Sequence, residues 1–212
     1  MQVAIVLYPG FTSLDVIGPY EVLGRLPDTE VVFVTEHPGL ITNDLKSVSI
    51  NAAAKLTDVP APEVVLIGGG PGQQDQMADG PLHKWLRAAD RTSTWTTSVC
   101  TGSLILAGAG LLAGRRATTH WGAIDQLAGL GAEPSTQRVV FDGHYATAAG
   151  VSAGIDMALT LAGRIAGDEA AQIVQLIVEY APEPPYQAGS VDTAPESIVA
   201  GAIRKLSGRF PS

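Results

Sequence analysis

An α/β fold on a doubly wound, mostly parallel sheet is the expectation raised by this chain. Three features raise it. Short apolar runs such as Val3–Tyr8 and Glu63–Ile67 lack the polar alternation of half-exposed strands, as strands buried on both faces do. Helix-like stretches separate these runs, the alternation that builds parallel sheets. The runs also end in chemically notable residues: Asp15 follows the first, Gly68–Gly72 follows another, and Cys100 follows a third. In open α/β sheets, ligands bind outside the carboxyl ends of strands near a topological switch point, so the three can converge.

Taken in order, Val3–Tyr8 reads as a strand closed by Pro9-Gly10. Pro19 suits a first helical turn, with the helix continuing through Tyr20–Leu26 and Asp15 left in or beside the preceding loop. Glu30–Glu36 is a second strand, and Leu40–Asn51 alternates weakly, as in a small hairpin or edge excursion. Glu63–Ile67 is a third buried strand, Pro81–Ala89 a short helix, and Thr94–Val99 the strand leading to Cys100. The small apolar run Leu104–Leu112 predicts a buried helix, and Trp121–Leu127 another helical segment. Arg138–Phe141 and His144–Ala148 flank Asp142-Gly143, a hairpin signal. Helices are expected over Ala153–Ala166, Asp168–Tyr180 and Ile198–Leu206, with a Pro- and Gly-rich loop at Ala181–Ser197.

No linker, repeat or low-complexity segment divides the 212 residues, so residues 1–212 are expected to form one domain. Hydrophobic content of 46% against 16% charged residues suffices for a core. The net charge of −8 argues against a nucleic-acid or anionic-membrane surface. One cysteine excludes an internal disulfide and a cysteine-based zinc site, and no His pair has metal-ligand spacing. No metal and no cofactor are expected. The first residues lack a basic region, and their apolar run stops at Pro9-Gly10, too short for a signal peptide; no apolar run reaches the ~20 residues that span a bilayer, so a cytoplasmic location is expected.

Cys100, in Val99-Cys100-Thr101-Gly102-Ser103, stands where a strand turns sharply into a helix. A helix N-terminus favours a thiolate and is expected to lower its pKa. The competing reading is a small core hydrophobe. The glycines of Gly68–Gly72 fit neither a dinucleotide fingerprint nor a P-loop; they make either a crossover turn or a row of exposed N–H groups. Gly150-Val151-Ser152-Ala153-Gly154 matches a serine nucleophile elbow, but all four histidines precede Ser152, the wrong order for that triad. The same turn can still aim backbone N–H groups at a nearby thiolate. His120 is the candidate base for Cys100, or else a structural histidine beside Trp121.

These residues resemble the ThiJ/PfpI superfamily, and within it the isocyanide hydratase branch. The resemblance rests on Leu14-Asp15-Val16-Ile17-Gly18-Pro19, Ile67-Gly68-Gly69-Gly70, the Cys100 elbow, Ala109-Gly110-Leu111-Leu112, Ala117-Thr118-Thr119-His120-Trp121, Ala153-Gly154-Ile155-Asp156 and Glu179-Tyr180-Ala181-Pro182. It implies a flavodoxin-like doubly wound sheet with a nucleophile elbow, like that of class I glutamine amidotransferases. Thr101 stands where the protease-like branch has His, which argues against a peptidase, and Asp15 where other branches have Glu, which argues against a glyoxalase or deglycase and fits the hydratase branch. Ala148-Ala149-Gly150-Val151 is less glycine-rich than that branch, which bears on local flexibility and pocket width. The elbow and the His120 segment also resemble the amidase-like domain of AraC-type regulators. The chain stops at Ser212 without the length of an appended helix-turn-helix pair, which favours an enzyme.

The resemblance implies hydration of an isocyanide to an N-substituted formamide, with water and a small isocyanide as partners, and a homodimer. Cys100 would be the nucleophile, Asp15 the general acid and base, and Thr101 would hold Asp15 or the water. Backbone N–H groups of Gly69, Gly70 and Val151 are the candidates for steadying the sulfur or a developing anion. The alternatives are another cysteine enzyme, aldehyde-detoxifying or hydrolytic, and a non-catalytic ligand- or redox-sensing domain.

Overall fold

The structure is a computed structural model that describes residues 1–207. The strands are β1 (Gln2–Val6), β2 (Glu30–Thr35), β3 (Gly39–Thr42), β4 (Ser49–Ala52), β5 (Ala54–Lys55), β6 (Val64–Ile67), β7 (Trp95–Val99), β8 (Arg116–Ala117), β9 (Glu133–Pro134), β10 (Val139–Asp142) and β11 (Tyr145–Ala148). The helices are α1 (Ser13–Leu23), α2 (Pro81–Asp90), α3 (Gly102–Gly108), α4 (Ile124–Gly129), α5 (Ala153–Ala166), α6 (Asp168–Ile177) and α7 (Glu196–Leu206).

Seven strands form the main sheet in the order β10-β11-β7-β6-β1-β2-β5. Every pair is parallel except the β10–β11 hairpin. β1 and β6 are buried on both faces, which is why their sequences read as apolar runs; β7 is buried over Thr96–Val99 as well, though three of those residues carry hydroxyls. The chain moves outward from β1 to β2 and β5, then returns past β1 to begin β6. The switch point therefore falls between the carboxyl ends of β1 and β6, where Asp15 and the Gly68–Gly72 loop emerge.

α1 and α5 pack together against the sheet, with α6 outside α5. Their approach is close because Gly18 faces Ile155, and Gly154 faces Pro19 and Val99; a Cβ on either glycine would sit 3.0 Å from its neighbour. The right-handed crossover rule puts α2 and α3 on the opposite face. β3 and β4 form the small antiparallel hairpin expected over Leu40–Asn51.

Two local expectations are corrected. α1 starts six residues before Pro19, so the proline lies inside the helix and Asp15 is in its first turn, not in a loop. The missing Pro19 N–H removes the helical donor for the Asp15 carbonyl, and burial of α1 against α5 outweighs that loss. α3 is also shorter than the apolar run, ending at Gly108, because Gly110 adopts φ +82° and turns the chain away.

Candidate active site

The turn after β7 carries Cys100 at φ +56°, a conformation that costs a non-glycine residue of order 1–3 kcal/mol. Hydrogen bonds hold it there. Its N–H donates to the carbonyls of Ala148 (3.1 Å) and Ala149 (3.0 Å). Its carbonyl accepts from Thr119 Oγ1 (3.0 Å) and Ser103 Oγ (3.2 Å). The thiol is 3% exposed. The N–H groups of Thr101 and Val151 reach its sulfur. Val151 itself has φ +34°, a second strained residue at the same spot.

Asp15 is fully buried on the first turn of α1. Its Oδ2 accepts the Gly69 N–H at 2.7 Å. Its Oδ1 is buried and has no hydrogen-bond partner among the described residues. The Cys100 thiol acts on this carboxyl as a donor, favouring its charged form, without closing a well-directed bond to Oδ1. Burial pushes Asp15 up to about 7; the Gly69 N–H and the thiol pull the other way, and the Asp44 carboxylate adds to the rise. Asp44 sits beyond β3, where the hairpin is stitched to the start of α1. The bonds are Gly10 N–H to the Thr42 carbonyl (2.9 Å), Asp44 N–H to the Phe11 carbonyl (2.9 Å) and Asn43 Nδ2 to Ser13 Oγ (2.9 Å).

The expected lowering of the thiol pKa is corrected. Burial, and then the charge of Asp15, push the Cys100 thiol well above its ordinary range. The Thr101 and Val151 N–H groups oppose this and are outweighed. The dipole of a short helix does not offset the desolvation of a thiolate placed beside a carboxylate.

The glycine-loop expectation is also corrected. Gly69 N–H is engaged by Asp15, and Gly70 N–H donates to Thr101 Oγ1 at 3.1 Å. Neither reaches the sulfur. The loop instead fixes the acid and the threonine hydroxyl. Gly69 must be glycine for this, since a Cβ there would lie 2.4 Å from Thr101 N.

His120 is not among the groups acting on the thiol. Its Nδ1 accepts the Gly122 N–H at 3.1 Å, its ring lies against Gly150 and tilts over Trp121, and burial holds its pKa below the ordinary value. Ser152 is exposed, and its Oγ accepts from Arg138 Nη2 at 3.3 Å, so the serine match has no catalytic setting.

Tyr8 escaped the sequence reading. Its hydroxyl donates to the Gly68 carbonyl at 2.7 Å, and the charges of Asp15 and Cys100 add to burial in keeping the phenol protonated. A polar ring ending a buried run at a carboxyl strand edge was the available signal. Two open cavities lie away from the Cys100–Asp15 pair. One of about 470 Å³ separates α5 from α6, and one of about 180 Å³ meets the site only through Tyr8. Among the described residues, no group of three or more His, Cys, Asp or Glu is placed to hold a metal ion, and no helix is long and apolar enough to cross a membrane.

The DJ-1/PfpI family model matches residues 1–164 of this chain. The chain belongs to the DJ-1/PfpI family. Among family relatives, an isonitrile hydratase from Pseudomonas putida is 42% identical over 207 residues, covering 98% of this chain and 90% of the relative. An HTH-type transcriptional regulator, CdhR, from Pseudomonas aeruginosa is 32% identical over 174 residues, covering 78% of this chain and 51% of the regulator. A crystal structure of a ThiJ/PfpI family protein from Pseudomonas syringae superposes with a TM-score of 0.95 at 35% identity, covering 98% of this chain and 86% of that one. Drosophila melanogaster DJ-1beta shares the fold at a TM-score of 0.77 and 24% identity, covering 85% of this chain and 98% of that one.

Proposed function

We propose that this chain is an isocyanide hydratase, a hydro-lyase that adds water to R–N≡C and releases an N-substituted formamide. The observation that carries the reading is the 42% identity to an isonitrile hydratase along nearly the whole chain. The buried thiol–carboxyl pair supplies what the chemistry needs.

The reaction consumes one nucleophile and one proton at the same carbon. A pair holding a single proton between Cys100 and Asp15 provides both. The Cys100 sulfur bonds to the terminal isocyanide carbon while Asp15 passes the former thiol proton to that carbon, giving a thioimidate, R–N=CH–S–Cys100. Water then adds to the thioimidate carbon as Asp15 accepts one of its protons. Asp15 hands that proton to the nitrogen, giving R–NH–CH(OH)–S–Cys100; the hydroxyl proton then passes through Asp15 to the sulfur as the C–S bond breaks, and the formamide R–NH–CHO leaves. The Thr101 and Val151 N–H groups steady the sulfur while it is charged, and Gly69 and Gly70 hold Asp15 and Thr101 in register. An Asp15 pKa of about 7 suits a carboxyl that must give and take a proton at neutral pH.

The active form in this reading is a homodimer. Leu176, Ile177 and Ile173 of α6 lie exposed at 80%, 62% and 53%, a patch that suits an interface. The chemistry requires a reduced Cys100, so the proposed location is the cytoplasm. The test is turnover of a simple aryl isocyanide, followed as formamide, beside Cys100→Ala. Turnover in the parent with none in the variant is the expected result. No turnover by the reduced, folded parent across several isocyanides would overturn the assignment.

A further inference from the structure

α7 has no fully buried residue; Val199, Ala202 and Leu206 are half-buried. Ile198, Val199, Ala202, Ile203 and Leu206 fall along one side of it, Glu196, Ser197 and Arg204 along the other, and Lys205 at the border beside Ile198. Such an amphipathic helix is stable in water only when its apolar side is covered. Yet none of its residues is buried, and Ile198 and Ile203 are each 53% exposed. Residues 181–193, which lead to it, are exposed throughout, so the segment runs clear of the body as an arm.

The body offers a matching surface that its own arm does not cover. α6 buries only Val174, while Ile173, Leu176 and Ile177 form a contiguous exposed face at i, i+3 and i+4. The lengths match, at 10 residues for α6 and 11 for α7. The charges match as well. α6 begins with Asp168 and Glu169, and α7 ends with Arg204 and Lys205, so antiparallel packing sets the acidic turn of one helix against the basic turn of the other.

We infer that the arm of one chain lays the apolar side of α7 antiparallel on the α6 face of a second copy, and that the two copies exchange arms reciprocally. This rests on the homodimer reading above and names its surface. A twofold exchange covers both α6 faces and both α7 helices at once, with each contact made twice.

Sedimentation velocity on the full chain at micromolar concentration tests this. The parent is expected to be a dimer. Ile198→Asp with Ile203→Asp should weaken dimerisation at least ~100-fold, since each buried apolar group is lost twice. Both positions are exposed in the single chain, so the body should keep its fold, read by circular dichroism. Glu169→Lys and Lys205→Glu should each weaken the dimer by about 10-fold, and mixing the two variants should restore it, because every acidic–basic contact is then remade across chains. A monomeric parent would overturn the inference and the dimer together. A parent dimer that survives the double Asp variant, or charge variants that mixing does not rescue, would overturn the arm alone. Isocyanide turnover is read separately and bears on neither result.

Discussion

Asp15→Asn separates the chemistry of this site from its stability, and the two should move in opposite directions. Asparagine keeps the shape and can still accept the Gly69 N–H, but it cannot exchange a proton. Loss of a positioned acid–base group costs about 10²–10⁴-fold, so formamide production should fall by that factor. Stability should rise. Burial lifts the folded pKa of Asp15 from 3.8 to about 7, so the folded state binds this proton more tightly than the unfolded chain. For a pKa raised by folding, the favourable contribution is complete below 3.8 and is lost as pH climbs to 7. At pH 8 the ionised carboxylate thus costs up to roughly 4 kcal/mol, and at pH 5 less than half of that. Asparagine carries no such cost. The stability difference between Asp15→Asn and the parent should therefore widen in the variant's favour by about 2–3 kcal/mol from pH 5 to pH 8, read by urea unfolding at both values. A variant with full turnover would refute the acid–base role. A difference that stays constant with pH would refute the raised pKa.

The pH–rate profile of the parent should rise with pH to a midpoint of about 7, because below it the Cys100–Asp15 pair holds two protons and lacks a nucleophile. Its alkaline limb should lie well above neutrality, where burial releases the last proton late. Thr101→Val leaves the buried Gly70 N–H without its acceptor and should destabilise the fold by about 1–3 kcal/mol, with turnover reduced; equal stability in thermal unfolding would count against that contact. Tyr8→Phe removes the donor to the Gly68 carbonyl and should cost about 1 kcal/mol while retaining turnover, since the phenol takes no part in proton transfer. A large loss of kcat in Tyr8→Phe would assign the phenol a direct role.

Much of this protein was legible in its residues. β1 and β6 declared themselves because strands buried on both faces have no polar side, β7 by its threonines and flanking Trp95 and Val99, and α5 was read to its observed limits from its small apolar pattern. Cys100 and Asp15 stood out because each follows such a strand at its carboxyl end, and strand ends are where a doubly wound sheet gathers its chemistry. These are local properties, set by side-chain period and by turn residues within a few positions. The electrostatics of the site are not local. The Gly69 N–H reaches Asp15 across 54 residues, and Val151 lies 51 residues beyond the sulfur it approaches. The helix start after Cys100 suggested an acidic thiol, whereas burial from every side and a facing carboxylate make it a reluctant one. Pro19 marked a helix start by its local preference, and packing against Gly154 carried the helix through it. The sequence by itself determined the order of strands and helices and which residues could react. Tertiary structure alone decided which N–H each reactive group receives and where its proton rests, because desolvation and hydrogen bonding depend on what the fold brings near and not on what the chain places next.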